Sequence, residues 1–301
     1  MAVVEAPADL LIHARRVYEG AITDPHRFEP IAADLVRRAR RSGPPEALAV
    51  ALRALARARR AQFAAAEAKG LLDEAAAVER RHGLSSVLAG VLLTRAVVNQ
   101  ELGNMAGAQR DLDRAQPIVD PSEVGELTFQ RAVLHHNLGR LGRAATAYRD
   151  LLHGPEFPDR LRVIALNNLA MIETQHGRHA DALRLLAEAG TRAPAVGPAL
   201  VAMVSGTRAW ATVHAGRLSE GMRLFDDAAR AHEAAGLPLG EHFVEYADAL
   251  IDLRLIPEAA GAARSAAEEF RRNGVPLMGA EAELRVAQLA LLAGDPGQAE
   301  T

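Results

Sequence analysis

Residues 167–189 read NNLAMIETQHGRHADALRLLAEA, with small residues at Ala170 and Ala182, a Gly-Arg pair between them, and His176 and His179 on either side of that pair. The stretch is either a histidine site or one copy of a repeat. Five other stretches fall under it without gaps: TRAVVNQELGNMAGAQRDLDRA, QRAVLHHNLGRLGRAATAYRDL, TRAWATVHAGRLSEGMRLFDDA, EYADALIDLRLIPEAAGAARSA and RVAQLALLAGDPGQAE. The first small residue is Ala96, Ala132, Ala170, Ala209, Ala247 or Ala287. The second, twelve positions on, is Ala108, Ala144, Ala182, Gly221, Ala259 or Ala299. Between them stand Gly103, Gly139, Gly177, Gly216 and Gly294, with Arg254 as the exception, and an earlier, weaker copy places Ala56 and Ala68 in the same slots.

Each copy reads as a helical hairpin. A helix stops where glycine takes a positive φ at little cost, and a second helix restarts a few residues later. The slot alanines mark the crossing of the paired helices, since only a small side chain allows close approach. Leu183, Leu185 and Leu186 after Ala182 form a core-facing stripe at helical spacing. Copies lie 36, 38, 39, 38 and 40 residues apart. Proline-bearing segments (QPIVDPSEV, HGPEFPDR, TRAPAVGPA, AGLPLGE, NGVPLMG) are expected to end the helices between hairpins.

The small-glycine-small spacing resembles the tetratricopeptide repeat (TPR). That family expects a large residue four positions after the second slot and a small one three further on, met here by Leu112 and Ala115, Leu186 and Ala189, and Phe225 and Ala228; Tyr148 is followed by Leu151 instead. The period exceeds the usual one and the family's first-helix aromatic is mostly missing. The resemblance implies an all-α, right-handed superhelical solenoid of about seven hairpins and part of an eighth. Residues 44–301 would form the array, and residues 1–43, chiefly Asp9 to Arg41, a degenerate first hairpin or cap.

Composition agrees with closely packed helices: 49% of residues are hydrophobic but only 4% aromatic. The formal charge of −3 gives no field for a polyanion, so nucleic acid is not an expected partner. There is no cysteine, which excludes disulfides, thiolate metal sites and cysteine nucleophiles. The N-terminus lacks a basic stretch followed by an apolar one, and no run of about 18 apolar residues occurs, so a soluble cytoplasmic chain without a membrane partner is expected.

Enzyme signatures are missing. His232-Glu233 is followed by Ala-Ala-Gly, so the second zinc ligand of a zincin helix is absent; Lys69, the lone lysine, has no phosphate-loop glycines before it; and no Gly-x-Ser-x-Gly elbow occurs. His176 and His179 have no third ligand recurring nearby, and His135 and His136, adjacent on a helix, point about 100° apart. No catalysis, metal or cofactor is expected.

In the TPR register the first helix of each hairpin faces the concave side. Projected there, as exposed positions, are Thr94, Val97 and Glu101; Gln130, Val133 and Asn137; Asn167, Met171 and Gln175; Trp210 and His214; and Asp248 and Asp252. Asn167, Met171 and Gln175 lie one turn apart and would bond the backbone of an extended peptide, with Trp210 as an apolar anchor. The basic-plus-asparagine pattern that clamps a terminal carboxylate in some TPRs is absent, while Glu245, Asp248 and Asp252 favour a basic segment. Arg95, Arg131 and Arg208 each precede the first slot and are expected to bridge consecutive hairpins. The cluster Arg37, Arg38, Arg40, Arg41, Arg53, Arg57, Arg59 and Arg60, with Glu46 the only acid among them, is expected to be a solvated or partner-facing surface.

The last residues, GDPGQAET, break off inside a second helix, which leaves Leu284, Leu289, Leu291 and Leu292 without a partner helix and suggests truncation. The stretch YADALIDLRLIPEAAGAARSAAEEFRRNGVPLMGAEAELRVAQLALLAGD, residues 246–295, resembles TPR regions of actinobacterial proteins carrying a C-terminal CHAT domain, a caspase-like peptidase. The resemblance implies a regulatory module that binds a protein or peptide and controls such an effector, whose catalytic cysteine is not in this chain. The alternative is the TPR sensor region of a bacterial transcription regulator or signalling ATPase.

Overall fold

A computed structural model describes residues 7–62, 64–154, 157–234, 236–273 and 275–293. Among these, fifteen α-helices follow one another: α1 (Pro7–Thr23), α2 (Pro25–Ser42), α3 (Pro45–Ala61), α4 (Ala65–His82), α5 (Ser85–Glu101), α6 (Met105–Ala115), α7 (Val124–Asn137), α8 (Leu141–His153), α9 (Asp159–Gln175), α10 (His179–Val196), α11 (Pro198–His214), α12 (Leu218–Ala234), α13 (Gly240–Asp252), α14 (Ile256–Arg272) and α15 (Pro276–Leu292). Two short 3-10 turns, Gln116–Ile118 and Pro121–Glu123, join α6 to α7. The fold is an all-α array of helical hairpins.

The hairpin turn is set by its backbone. At Gly177, φ is 74°, which lets Arg178 N–H reach the carbonyl of Glu173 at 2.9 Å and Gly177 N–H that of Thr174 at 2.9 Å. These bonds satisfy carbonyls that the end of α9 would otherwise leave open. The same pair closes the α13–α14 turn, from Leu255 to Leu250 and from Arg254 to Ile251, but Arg254 occupies the glycine position at φ 60°. A side chain there carries left-handed strain of roughly 1 kcal/mol. Arg254→Gly is therefore expected to raise the unfolding free energy by up to about 1 kcal/mol, read as a higher urea midpoint at unchanged slope; a lower midpoint would show that the arginine side chain contributes more than the strain costs.

Not every proline ends a helix. Pro194 lies inside α10, which runs on to Val196 and stops where Gly197 leaves helical space at φ 151°. The expectation that TRAPAVGPA is a break is corrected to this extent: the stop belongs to Gly197, and Pro198 opens α11 in the first turn, where no N–H is needed.

The chain divides into two compact units, Met1–Ala147 and Tyr148–Thr301. In the first, α1 and α2 both pack on α3, α3 on α4 and α5, and α5 on α6 and α7. Its core is rich in alanine, with Ala47, Ala49, Ala54 and Ala56 of α3 against Ala68, Leu72, Ala75 and Ala76 of α4. In the second, α9 pairs with α10, α11 with α12 and α13 with α14, while α11 also touches α9 and α13, so the first helices of successive hairpins form one row. Both slots are sealed: Ala96, Ala108, Ala132, Ala144, Ala170, Ala182, Ala209, Ala247 and Ala259 have no accessible surface. Ala56 and Ala68 are equally buried, although their turn has no glycine.

Gly294 and Ala299 lie outside the described residues. Of the four leucines expected to be uncovered, Leu284, Leu291 and Leu292 are exposed, but Leu289 is buried against Ala247, Leu250 and Ala259 and their neighbours. No helix among the described residues is long and apolar enough to cross a membrane.

Candidate functional site

In the second unit the row α9, α11, α13 carries the residues expected to meet a ligand. On α9, Asn167 is buried at 2% exposure, not open as expected; Met171 is half-buried and Gln175 exposed. The Asn167 Nδ2 points at the Met171 sulfur at 3.9 Å, and its Oδ1 is buried with no hydrogen-bond partner. A buried acceptor left unpaired costs on the order of 1–3 kcal/mol. The alternation of faces along a helix predicts which side a residue takes, but the depth of cover comes from neighbouring helices.

On α11, Trp210 and His214 are one turn apart, with ring centroids 4.4 Å from each other. The His214 Nδ1 lies 2.9 Å from the Trp210 carbonyl oxygen and its Nε2 2.9 Å from Asp252 Oδ2 on α13. That fixes the imidazole between two helices. Along α13, Glu241, Glu245, Asp248 and Asp252 repeat at three- and four-residue spacing, which places them along one side of the helix. Burial, reinforced by Glu241 and Asp248, raises the Glu245 carboxyl to about 8, and burial raises Asp248 against the pull of Arg285, 3.2 Å away. The Glu245 carboxylate rests on Gly206 of α11, where any side chain would displace it. Glu241 and Asp252 complete a face suited to cations.

In the first unit, Thr94 and Gln130 are buried, again contrary to the expected exposure. Thr94 donates to the Gly90 carbonyl at 3.0 Å and accepts from Arg53; Asn137 Nδ2 donates to Gln100 Oε1 at 3.0 Å. Side-chain partners inside the unit therefore occupy Thr94 and Asn137.

The recurrent arginines bridge helices where a carboxylate is in reach. Arg95 on α5 holds Asp111 of α6 and, at 2.9 Å, Asp73 of α4, while Asn99 donates to the same Asp111. Arg131 on α7 holds Asp113 of α6 at 2.8 Å. Arg208 is exposed and does not extend the series. The N-terminal arginine cluster is also less open than its sequence suggests. Arg37 and Arg38 pair with Asp34, Arg40 with Glu74, Arg59 with Glu29, and Arg60 with Glu101. Asp34 lies on α2 with Arg37 and Arg38, while Glu74, Glu29 and Glu101 arrive from helices 30 or more residues away.

His176 is exposed on its turn with Arg178 Nη2 at 3.3 Å from its Nδ1, and His179 has a buried Nδ1 with no partner. Among the described residues no three His, Asp or Glu side chains group closely enough to hold a metal. Sequence reading overlooked Glu173, which is 3% exposed and held by both Arg149 and Arg178. It floors a cleft of about 520 Å³ between α8, α9 and α10, lined also by Leu152, Leu166, Leu169 and Leu185. A signal was present: three positions after the first slot, Asn99, Glu173 and Thr212 are all polar and all buried.

No protein-family profile matches the sequence, and no curated protein sequence matches it. Solved structures match by shape. A Rap protein in complex with competence and sporulation factor aligns with a TM-score of 0.75 at 14% identity, over 98% of this chain and 85% of that one. The apo quorum sensor NprR of B. thuringiensis aligns at 0.70 with 12% identity, over 99% and 86%, and NprR with its cognate peptide NprX at 0.65 with 13% identity, over 82% and 73%. At these identities the likeness is one of fold, a TPR-like helical repeat.

Proposed function

We propose that this chain is a non-catalytic TPR-type module that binds an extended, basic peptide or partner segment along the row α9, α11, α13. The carrying observation is chemical complementarity within one unit. Trp210 offers a half-buried aromatic anchor, and Glu241, Asp248 and Asp252 form the acidic wall. Met171, Gln175 and His214, in the same unit, belong to this reading as flanking contacts. The Rap and NprR structures support it by analogy, since the first was solved with competence and sporulation factor and the second with its cognate peptide NprX.

On the CHAT resemblance, the peptide signal would be passed to a C-terminal effector. As a sensor of a transcription regulator or signalling ATPase, the module would use the same face and differ in what it controls. Binding would act by favouring one curvature of the repeat array over another.

The test is fluorescence anisotropy with labelled hexapeptides carrying two arginines, two glutamates or neither. Arginine-bearing peptides are expected to bind, and Asp248→Asn with Asp252→Asn to weaken them on the order of tenfold, about 1.4 kcal/mol. Equal affinity for acidic and basic peptides, or none for either, overturns the proposal.

A further inference from the structure

Two arginines of the N-terminal cluster are at least half-buried without an ion pair, whereas Arg41, which also has none among the described residues, is exposed. Arg53 and Arg57 lie one turn apart on α3, and among the described residues neither is within ion-pair distance of a carboxylate, whereas Arg37, Arg38, Arg40, Arg59 and Arg60 all are. Arg53 is nonetheless 9% exposed. A buried guanidinium without a counter-anion is costly, and a second cation at the i+4 position adds repulsion.

The surroundings hold the pair in place without neutralising it. The Arg53 guanidinium carbon sits 4.2 Å from the centroid of the Tyr18 ring on α1, and its Nε donates to Thr94 Oγ1 on α5 at 2.9 Å. It packs with its Nη1 against Gly90 of α5, where an added Cβ would run into that nitrogen and stand 2.7 Å from the guanidinium carbon. Arg57 donates to the Tyr18 hydroxyl at 3.1 Å, with its own guanidinium carbon 5.5 Å from the ring. Three helices thus fix two guanidinium forks, and the remaining N–H groups carry no hydrogen bond among the described residues.

We infer that Arg53, Arg57 and Tyr18 form an oxyanion-binding site, which takes a carboxylate or phosphate group of a ligand through the free N–H groups of the two guanidinium forks. Planar forks match either group bidentately. Two acids, Glu79 and Glu123, feel the charge of Arg53, which draws both down, and neither lies within ion-pair distance of it among the described residues. Burial outweighs that pull: it raises the Glu79 carboxyl to about 8, both of whose oxygens are buried without a hydrogen-bond partner, and it also raises Glu123. Glu101, two turns beyond Thr94 on α5, is held by Arg60 at 2.6 Å. The site lies wholly in the first unit, so its fate is independent of the peptide face proposed on α9, α11 and α13.

The experiment is isothermal titration of the full chain with inorganic phosphate, with acetate, and with one short neutral peptide made as C-terminal acid and as amide, all at fixed ionic strength with chloride as control. Saturable binding is expected for phosphate or for the acid peptide and not for the amide. Tighter phosphate binding identifies a phosphate-bearing ligand, and preference for the acid over the amide a peptide terminus. Arg57→Gln, a half-buried position whose loss leaves the core intact, should weaken binding about tenfold, while Arg37→Gln, already ion-paired, should not. Arg53→Met serves as a second variant, with circular dichroism reporting its fold. No saturable binding by the wild type, equal binding of acid and amide without phosphate binding, or full binding by Arg57→Gln overturns the site.

Discussion

Gly221→Leu is expected to destabilise the chain by about 3 kcal/mol, because Gly221 is the one second-slot residue that cannot carry even a methyl group. A Cβ at this position would stand 2.5 Å from Val213 Cγ2, 2.9 Å from the Val213 nitrogen and 3.2 Å from the Ala209 carbonyl oxygen. The first of these can rotate away, but the other two are backbone of α11 and cannot. Gly221→Ala sets two effects against each other: a gain of roughly 1 kcal/mol in helix propensity and a clash of similar or larger size, so a small net loss is expected. Gly261 in α14 supplies the control. A Cβ there meets nothing within 4 Å, so Gly261→Ala should show the propensity gain alone. Ala182→Leu, at a slot with no accessible surface, is expected to cost roughly 1 to 3 kcal/mol. Urea midpoints and slopes for the four variants decide it. If Gly221→Leu matched Gly261→Ala, the crossing of α11 and α12 would not lie at the slot.

Mild acid is expected to act on His242 of α13, at a cost of roughly 2 to 3 kcal/mol between pH 6.5 and 4. The imidazole is 4% exposed, with the Phe225 ring 5.9 Å and the His232 ring 5.6 Å from it, and its Nδ1 has no partner. Burial, helped by the neighbouring His232 and opposed by Asp226, lowers it to about 4. The unfolded chain takes up this proton near pH 6.5 and the folded chain only near 4. The stability is therefore intact above 6.5, falls by about 1.4 kcal/mol for each pH unit below it, and is fully lost below 4. Glu79 and Glu245, both raised to about 8, act with the opposite sign. Their burial penalty is absent below the ordinary carboxyl range and grows as pH rises towards 8. The measurement is thus a difference, the unfolding free energy of wild type minus His242→Leu at each pH. That difference should shrink from pH 7 to pH 4. A constant difference would mean that the histidine is protonated within the fold or solvated there.

The repeat was legible in the sequence because its determinants are local. A step of twelve positions between small side chains, with a glycine between them, describes one turn and one crossing, and both are settled within about 20 residues of chain. Ala170, Gly177 and Ala182 could therefore be placed before any coordinates, and the turn held at Arg254 because its backbone bonds do not involve the side chain. Pro194 misled because a proline's effect depends on whether the preceding turn can spare its hydrogen bond, and Gly197, three residues later, offered the cheaper stop.

The candidate sites were less legible because they depend on separation. Thr94, Gln130 and Asn167 lie on the correct first helices but are buried in the packed array. The arginine cluster reads as an open basic surface until Asp34, Glu74, Glu29 and Glu101 are brought to it, three of them across 30 or more residues. Arg53 and Arg57 stand out only once their neighbours are paired and Tyr18, 35 residues upstream of Arg53, is seen between them. Periodicity along one chain determined which residues share a helix face. Which of those residues are buried, paired or left with an open valence was decided by packing between helices, since charge and hydrogen-bond satisfaction belong to pairs of residues and a single position does not carry them.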